Sequence, residues 1–230
     1  MHNTQQNTEK PYVDYTLLKA DATLADFEKL CKEALQEENR SKIRAVCVLP
    51  EPRIIRLCKE MLKGSGIKIA VVNDFPLGRG GITAKRDQAL ASRDADVDEV
   101  DTVLNTGFLR EGRYREAETE LWTIVEVFPG ATKVIIESGH PWYTEGLIKE
   151  ATRLVAAAGA FCVKTSTGFI DNIQPEAKAQ HVLWMHEAEP GLVKKAAGGF
   201  STIAQVELLW KVAPREKIIV GASKPFWKNS

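Results

Sequence analysis

Short apolar runs alternate with amphipathic segments along nearly the whole chain, and no other feature constrains the fold as much. Eight runs have the length and the apolar, β-branched composition of buried strands: Tyr12–Leu17, Ile43–Leu49, Ile67–Val72, Val97–Leu104, Lys133–Glu137, Phe161–Ser166, Leu192–Lys195 and Ile218–Gly221. Between them lie seven segments with helical periodicity: Thr23–Glu37, Pro52–Leu62, Thr83–Ser92, Tyr114–Val127, Thr144–Ala158, Pro175–His186 and Thr202–Val212. This alternation predicts parallel strands joined by crossover helices.

About eight such units in 230 residues fit a closed (β/α)8 TIM barrel better than an open doubly wound sheet, which remains the lesser alternative. The length also suits one domain spanning residues 1–230. Met1–Lys10 is polar and has nothing to bury, so we expect a disordered tail there. Leu17–Thr23 and Leu49–Pro52 lack the G-x-G-x-x-G pattern of a dinucleotide fold, which leaves nicotinamide chemistry with little support.

Charge and cysteine usage exclude several classes of protein. Lys plus Arg and Asp plus Glu each number 31, so no overall field attracts nucleic acid or an anionic membrane surface. The four cysteines form no C-x-x-C pair and no apolar signal segment opens the chain, which predicts reduced thiols in the cytoplasm. His181 and His186 stand at i and i+5 on a helix, a spacing that does not make one metal-binding face, and we expect no metal.

Charged residues inside otherwise apolar strands indicate where a functional site lies. Side chains alternate inward and outward along a barrel strand, and the active sites of such barrels lie at the carboxyl ends of the strands. Lys164 shares one strand face with Cys162 and Ser166, and the alternation places Asp101 on the inner face of its strand. The other candidates for the pocket lie on further strands: Asp14, Cys47, Lys133 and Lys195. Buried charges are costly unless paired, so we expect the charged members to pair with one another.

Two lysines in such a site predict amine chemistry. A lysine that is partly desolvated beside a second cation is held as the free amine, which can attack a carbonyl. Lys164 and Lys195 fit these two roles. Each also has a structural interpretation: Lys164 as a strand-end lysine extending to solvent, and Lys195 as a solvated neighbour of Lys194. Asp101 could equally cap a helix or pair with an arginine, and Cys47 is more typical of packing than of a nucleophile.

Glycine-containing turns follow three late strands and predict an anion site. Gly198 and Gly199 precede the helix at Thr202, where backbone N–H groups and the helix dipole could bind a phosphate. Gly168 and the segment Gly221–Ser223 end two neighbouring strands. Ordinary turn chemistry remains the alternative explanation for these glycines.

Taken together, these residues resemble the deoxyribose-phosphate aldolase family. Phe161–Gly168, F-C-V-K-T-S-T-G, is similar to its Schiff-base motif, and Asp98–Asp101, D-E-V-D, is similar to the strand with its catalytic aspartate. Lys195–Gly199, K-A-A-G-G, is similar to its second-lysine segment. Four more segments follow the family's order, the first and last as its first and fourth strands: Asp14–Leu18 (D-Y-T-L-L), Val46–Pro50 (V-C-V-L-P), Phe75–Gly78 (F-P-L-G) and Lys133–Glu137 (K-V-I-I-E). The resemblance covers about residues 12–224.

The resemblance implies a class I aldolase that reversibly cleaves 2-deoxy-D-ribose 5-phosphate to acetaldehyde and D-glyceraldehyde 3-phosphate without a cofactor. It implies that Lys164 forms the imine and that Lys195 favours the free amine and helps to move protons. Asp101 would work with a water as acid and base, supported by Asp14. Two alternatives stay open: another Schiff-base barrel aldolase with a different aldehyde or keto-acid substrate, and a catalytically idle barrel that binds a sugar phosphate.

The same resemblance implies a phosphate site on the backbone around Gly168, Gly198 and Gly199, with a hydroxyl donated by Ser223. Lys224 stands where a second serine is typical of the family, and it would either strengthen or crowd that site. The implied partners are a small sugar phosphate and an aldehyde, with no nucleic acid and no membrane, and a homo-oligomer is expected as a dimer or tetramer. The family's C-terminal tyrosine, which assists proton transfer in some members, has no counterpart here.

Overall fold

The chain folds as a closed barrel of eight parallel strands in chain order. The computed structural model describes residues 11–170 and 173–228, so the tail predicted at Met1–Lys10 lies outside the described residues. The strands are β1 (Val13–Thr16), β2 (Ile43–Val48), β3 (Lys68–Asn73), β4 (Glu99–Val103), β5 (Thr132–Ile135), β6 (Cys162–Lys164), β7 (Val193–Ala197) and β8 (Ile218–Ala222). Because β1 pairs with both β2 and β8, the sheet closes on itself. The predicted TIM barrel is confirmed, and the open sheet is wrong.

Every predicted strand and helix is present, with ends that differ by two residues at most, the usual uncertainty at element ends. The helices are α1 (Leu24–Leu35), α2 (Glu37–Arg40), α3 (Pro52–Leu62), α4 (Ile82–Asp94), α5 (Thr106–Arg110), α6 (Tyr114–Val125), α7 (Glu145–Ala157), α8 (Pro175–Ala188) and α9 (Ile203–Val212). The sequence did not predict α2 and α5, which are too short to show a helical period. Lys133–Glu137 overlaps the fifth strand and not the fourth, because Glu99–Val103 takes the fourth place.

Local sequence fixes where the long helices begin. At α9 the Thr202 side chain accepts a hydrogen bond from Gln205 N, while Thr202 N donates to the Gln205 side chain, a reciprocal cap. Pro52 and Pro175 open α3 and α8, where a missing N–H costs nothing. No helix among the described residues combines the length and apolar character needed to cross a membrane.

The two faces of the barrel strands have different partners. Outward-facing valines such as Val71, Val100 and Val163 are fully buried in the large apolar clusters between strands and helices. The inward-facing apolar group is small and includes Cys47, Ala70 and Val72. The stabilising apolar core therefore lies between the barrel and its helices, which leaves the barrel interior available for polar groups.

A buried ion pair ties α4 and α6 to the carboxyl end of β4. Lys85 of α4 is fully buried, and its Nζ donates to Val103 O at 2.7 Å and to the carboxylate of Glu120 on α6. Asp74 Oδ2 lies 3.5 Å from the same Nζ, and Asp74 also accepts the Gly80 N–H. These contacts hold the β3–α4 loop at the mouth of the barrel.

We expect Lys85→Met to lower the free energy of unfolding by about 3 kcal/mol, because Glu120 is then left as a buried, uncompensated charge. Urea denaturation followed by circular dichroism measures the change. Lys32→Met is the matched control, since Lys32 pairs with Glu28 on an exposed helix face and such a pair contributes about 0.5 kcal/mol. Equal losses in the two variants would contradict a structural role for the buried pair.

Candidate active site

Charged side chains from six strands, all buried except the partly exposed Arg44, form one network inside the barrel. Its members are Asp14 on β1, Arg44 on β2, Glu99 and Asp101 on β4, Lys133 on β5, Lys164 on β6 and Lys195 on β7. Five of them were predicted from the alternation of charged and apolar residues. Arg44 and Glu99 were not singled out as site residues, although each is a charge within an apolar strand and so shows the same signal.

Asp101 lies at the centre of this network. Its Oδ2 is 3.0 Å from Lys164 Nζ and 2.8 Å from Lys195 Nζ, and its Oδ1 is 2.7 Å from Lys133 Nζ. The strand register explains the convergence, since Lys164 is paired with Lys195 and Asp101 with Lys133 in adjacent strands. One carboxylate therefore brings the two predicted lysines together.

A second set of contacts lies next to Asp101. Lys195 Nζ forms an ion pair with Asp14 Oδ2 at 2.5 Å, but its angle does not suit a hydrogen bond. Asp14 Oδ2 therefore has no aligned hydrogen-bond donor among the described residues. Arg44 Nη1 donates to Asp14 Oδ1 at 2.6 Å and to Glu99 Oε2 at 3.0 Å. Asp14 Oδ2 also lies 3.6 Å from Lys133 Nζ, so it faces two ammonium groups of the lysine cluster.

The network sets the charge states of its members. Burial raises the pKa of Asp101, but Lys133, Lys195 and Lys164 together outweigh burial and hold that pKa well below its usual value. Burial lowers the pKa of Lys195, but Asp101 and Asp14 outweigh it and raise that pKa above its usual value. Asp101 is therefore held as a carboxylate and Lys195 as an ammonium.

The described network contains more basic side chains than carboxylates. The carboxylates of Asp14, Glu99 and Asp101 are matched by three cations of the described network: Arg44, Lys133 and Lys195. Half-exposed Lys68 adds a further cation, 2.9 Å from Glu99. Lys164 is one more basic group of this network, with its Nζ 3.0 Å from Asp101 Oδ2. A lysine amine is a nucleophile toward carbonyl groups in its free form.

A cavity of about 330 Å³ opens above the network. Lys164 lines it, whereas Asp14, Asp101, Lys133 and Lys195 are fully buried and are not among its described lining residues. Cys47 does not line it either; its Sγ is 3.9 Å from Asp101 Oδ2, beneath the cavity. Lys164 is consequently the member of the network that a bound molecule would meet.

The predicted anion-binding turns surround the same cavity. Gly168, Gly198, Gly199 and Ser223 all line it, and the three glycines have φ values of 88°, 79° and 83°, which only glycine adopts without strain. Lys224 is exposed and is not among the lining residues.

Buried side chains hold two of these turns in place. Glu137 accepts the Thr167 N–H, and Lys178 of α8 donates to Ala197 O and Gly198 O at 2.7 Å each. Both contacts act on backbone next to the glycines. The turns are therefore positioned before any ligand binds, which lowers the entropy cost of binding.

We expect Asp101→Asn to lower the free energy of unfolding at pH 7 by about 3 kcal/mol, because it leaves buried lysines uncompensated. The depressed pKa of Asp101 gives stability that is present above about pH 4, the usual carboxyl value, and is lost as the pH falls below it. Denaturation curves between pH 7 and pH 3 should therefore show a smaller loss for the variant than for the wild type. Parallel curves would contradict this charge assignment.

Comparisons with known proteins agree with this geometry. No family model matches the chain. A curated protein from Caldicellulosiruptor saccharolyticus, named deoxyribose-phosphate aldolase, is 38% identical over 196 residues, which cover 83% of this chain and 84% of that protein. A curated protein of the same name from Coprothermobacter proteolyticus is 36% identical over 204 residues, 86% of each chain.

Solved structures show the same fold. The tetrameric deoxyribose phosphate aldolase from Aeropyrum pernix matches with a TM-score of 0.77 and 25% identity, over 92% of this chain and 85% of that one. The chain has a closed eight-stranded barrel, the lysine motif on its sixth strand and extensive identity to curated relatives. It belongs to the deoxyribose-phosphate aldolase family.

Proposed function

We propose that this protein reversibly cleaves 2-deoxy-D-ribose 5-phosphate to acetaldehyde and D-glyceraldehyde 3-phosphate through an imine on Lys164. One observation carries the proposal: Lys164 lies between the cavity and the carboxylate of Asp101, which also binds the ammonium of Lys195. An amine that attacks a carbonyl needs access to the substrate on one side and proton donors and acceptors on the other.

The reaction begins with attack of the Lys164 amine on C1 of the open-chain sugar, and loss of water gives the imine. The imine nitrogen carries a proton. The C3 hydroxyl then loses its proton while the C2–C3 bond breaks, and the electron pair moves into the protonated imine to form a neutral enamine. D-glyceraldehyde 3-phosphate leaves with C3 as its aldehyde. Protonation of the enamine at C2 and hydrolysis release acetaldehyde and restore the amine, so no electrons are gained or lost.

The charged neighbours of Lys164 supply the proton transfers in this proposal. Asp101 acts with a water as acid and base, and its depressed pKa keeps it in the carboxylate form. The Lys195 ammonium holds a proton 2.8 Å from Asp101 Oδ2, the same oxygen that Lys164 Nζ approaches. Asp14 supports them through Oδ2, which has no aligned donor among the described residues. Lys133 stabilises the Asp101 carboxylate from the other side.

The phosphate of the substrate binds, in this proposal, to the turns at Gly168, Gly198 and Gly199 and to the hydroxyl of Ser223. Backbone N–H groups at such turns and at the amino end of a helix bind anions without a metal. The cavity joins these turns to Lys164, so one sugar phosphate could contact both.

We also propose a domain organisation, a cellular location and an oligomeric state for this protein. It is one barrel domain, acts in the cytoplasm and forms a dimer or tetramer. Two observations support this: the Aeropyrum pernix protein is a tetramer, and all four cysteines of this chain are unpaired and buried, as suits a reducing compartment.

Borohydride reduction in the presence of 2-deoxy-D-ribose 5-phosphate should attach a two-carbon adduct to Lys164, because cleavage leaves the acetaldehyde unit on the amine. Peptide mass mapping locates the adduct, and Lys164→Ala should lack it while retaining the circular dichroism of the wild type. Cleavage of the sugar phosphate separates this activity from that of an aldolase for other substrates. A folded wild type with no adduct would sink the proposal and leave a binding barrel.

Lys195→Met should lower kcat by about 100-fold or more, the contribution typical of a positioned acid–base group. Lys194→Met is the matched control, since Lys194 faces out of the barrel and donates to Glu189 O and Leu192 O. Its variant should keep a rate close to that of the wild type. Similar losses in two folded variants would indicate that strand β7 matters only for structure.

A further inference from the structure

The cavity above Lys164 has a distinctive charge pattern. Two of its described lining residues are lysines, Lys164 and Lys19, and none carries a carboxylate. Lys164 is 2% exposed and lies against Asp101, whereas Lys19 is exposed in the loop between β1 and α1. An anion entering this cavity therefore meets one accessible cation.

Lys19 has no competing ion pair among the described residues. Thr23 N and Oγ1 donate to Asp26 Oδ2 at 2.8 Å and 2.7 Å. These hydrogen bonds lower the pKa of Asp26, and the charges of Lys29 and Lys19 contribute less. The Lys19 carbonyl accepts the Ala22 N–H at 3.2 Å, which fixes the backbone of the turn. The exposed Lys19 side chain thus extends from a fixed backbone without a direct ion pair among the described residues.

The strand register places this turn next to the predicted phosphate turns. Tyr15 of β1 is paired with Ala222 of β8, so the chain leaving β1 runs beside Ser223. Ala197 of β7 is paired with Gly221 of β8, which places the Gly198 turn on the opposite side of Ser223. Lys19, Ser223 and the glycine turn therefore follow one another around the same rim.

We propose that Lys19 is the phosphate-recognising cation of this site and sets its preference for a phosphorylated over an unphosphorylated sugar. This role of Lys19 rests on the proposed aldolase function, which determines the two sugars that are compared. Backbone dipoles and a hydroxyl orient a phosphate but carry no net charge, whereas a lysine adds a charge-assisted hydrogen bond. Lys224, the other cation near Ser223, is not among the described residues that line the cavity.

Steady-state kinetics on 2-deoxy-D-ribose 5-phosphate and on 2-deoxy-D-ribose test this role. Lys19→Met should raise KM for the phosphorylated sugar about tenfold, the loss of one charge-assisted hydrogen bond, with kcat little changed. The unphosphorylated sugar should react as with the wild type, and Lys19→Arg should restore most of the affinity. Lys29→Met is the control, since Lys29 is an exposed lysine on the adjacent helix and does not line the cavity.

Binding in the absence of turnover separates this inference from the aldolase proposal. In a Lys164→Ala background, calorimetry with glycerol 3-phosphate should show a Kd about tenfold higher when Lys19→Met is added, and the effect should shrink at high salt. This outcome stands even for a protein that forms no imine. An unchanged Kd, or an equal loss of activity on both sugars, would overturn the role of Lys19.

Discussion

The fold of the site depends on one carboxylate, Asp101, buried among three lysines inside the barrel. Each lysine would be costly to bury alone, and the carboxylate would be costly without them. Together they fix the distances among β4, β5, β6 and β7, because the amines can meet the same two oxygens only when those strands are in register. Asp101 thus both pairs with the buried lysines and fixes the relative positions of these four strands.

In this barrel the apolar contacts that stabilise the fold and the charged groups of the site lie in different places. Apolar contacts lie mainly between strands and helices, in two large clusters of buried side chains. The interior contains charged groups and only a small apolar cluster around Cys47. Because the helices provide most of the hydrophobic stabilisation, the interior can contain groups that a core would exclude. The glycine turns at the carboxyl ends of the strands then place backbone N–H groups next to those charged groups.

The sequence predicted the strands and the long helices because parallel barrel strands are short apolar runs separated by amphipathic segments. It predicted Lys164, Lys195 and Asp101 as neighbours because a charge in such a run is conspicuous. Arg44 and Glu99 were not selected, since alternation gives the face of a strand but not the depth of a side chain. Lys19 could not be found in this way, because a lysine in a polar loop follows no pattern and its place is set by strand pairing.

Lys194 and Lys195 are adjacent in sequence but have opposite environments. Lys195 is paired with Asp14 and Asp101 inside the barrel, and Lys194 is bound by backbone carbonyls and His186 outside it. A one-residue slip of β7 that brought Lys194 to Asp101 would move Lys195 to the outer face, into the position where Ala196 packs in an apolar cluster. An ammonium buried there would have no partner, so the cost of burying it favours the native register of β7.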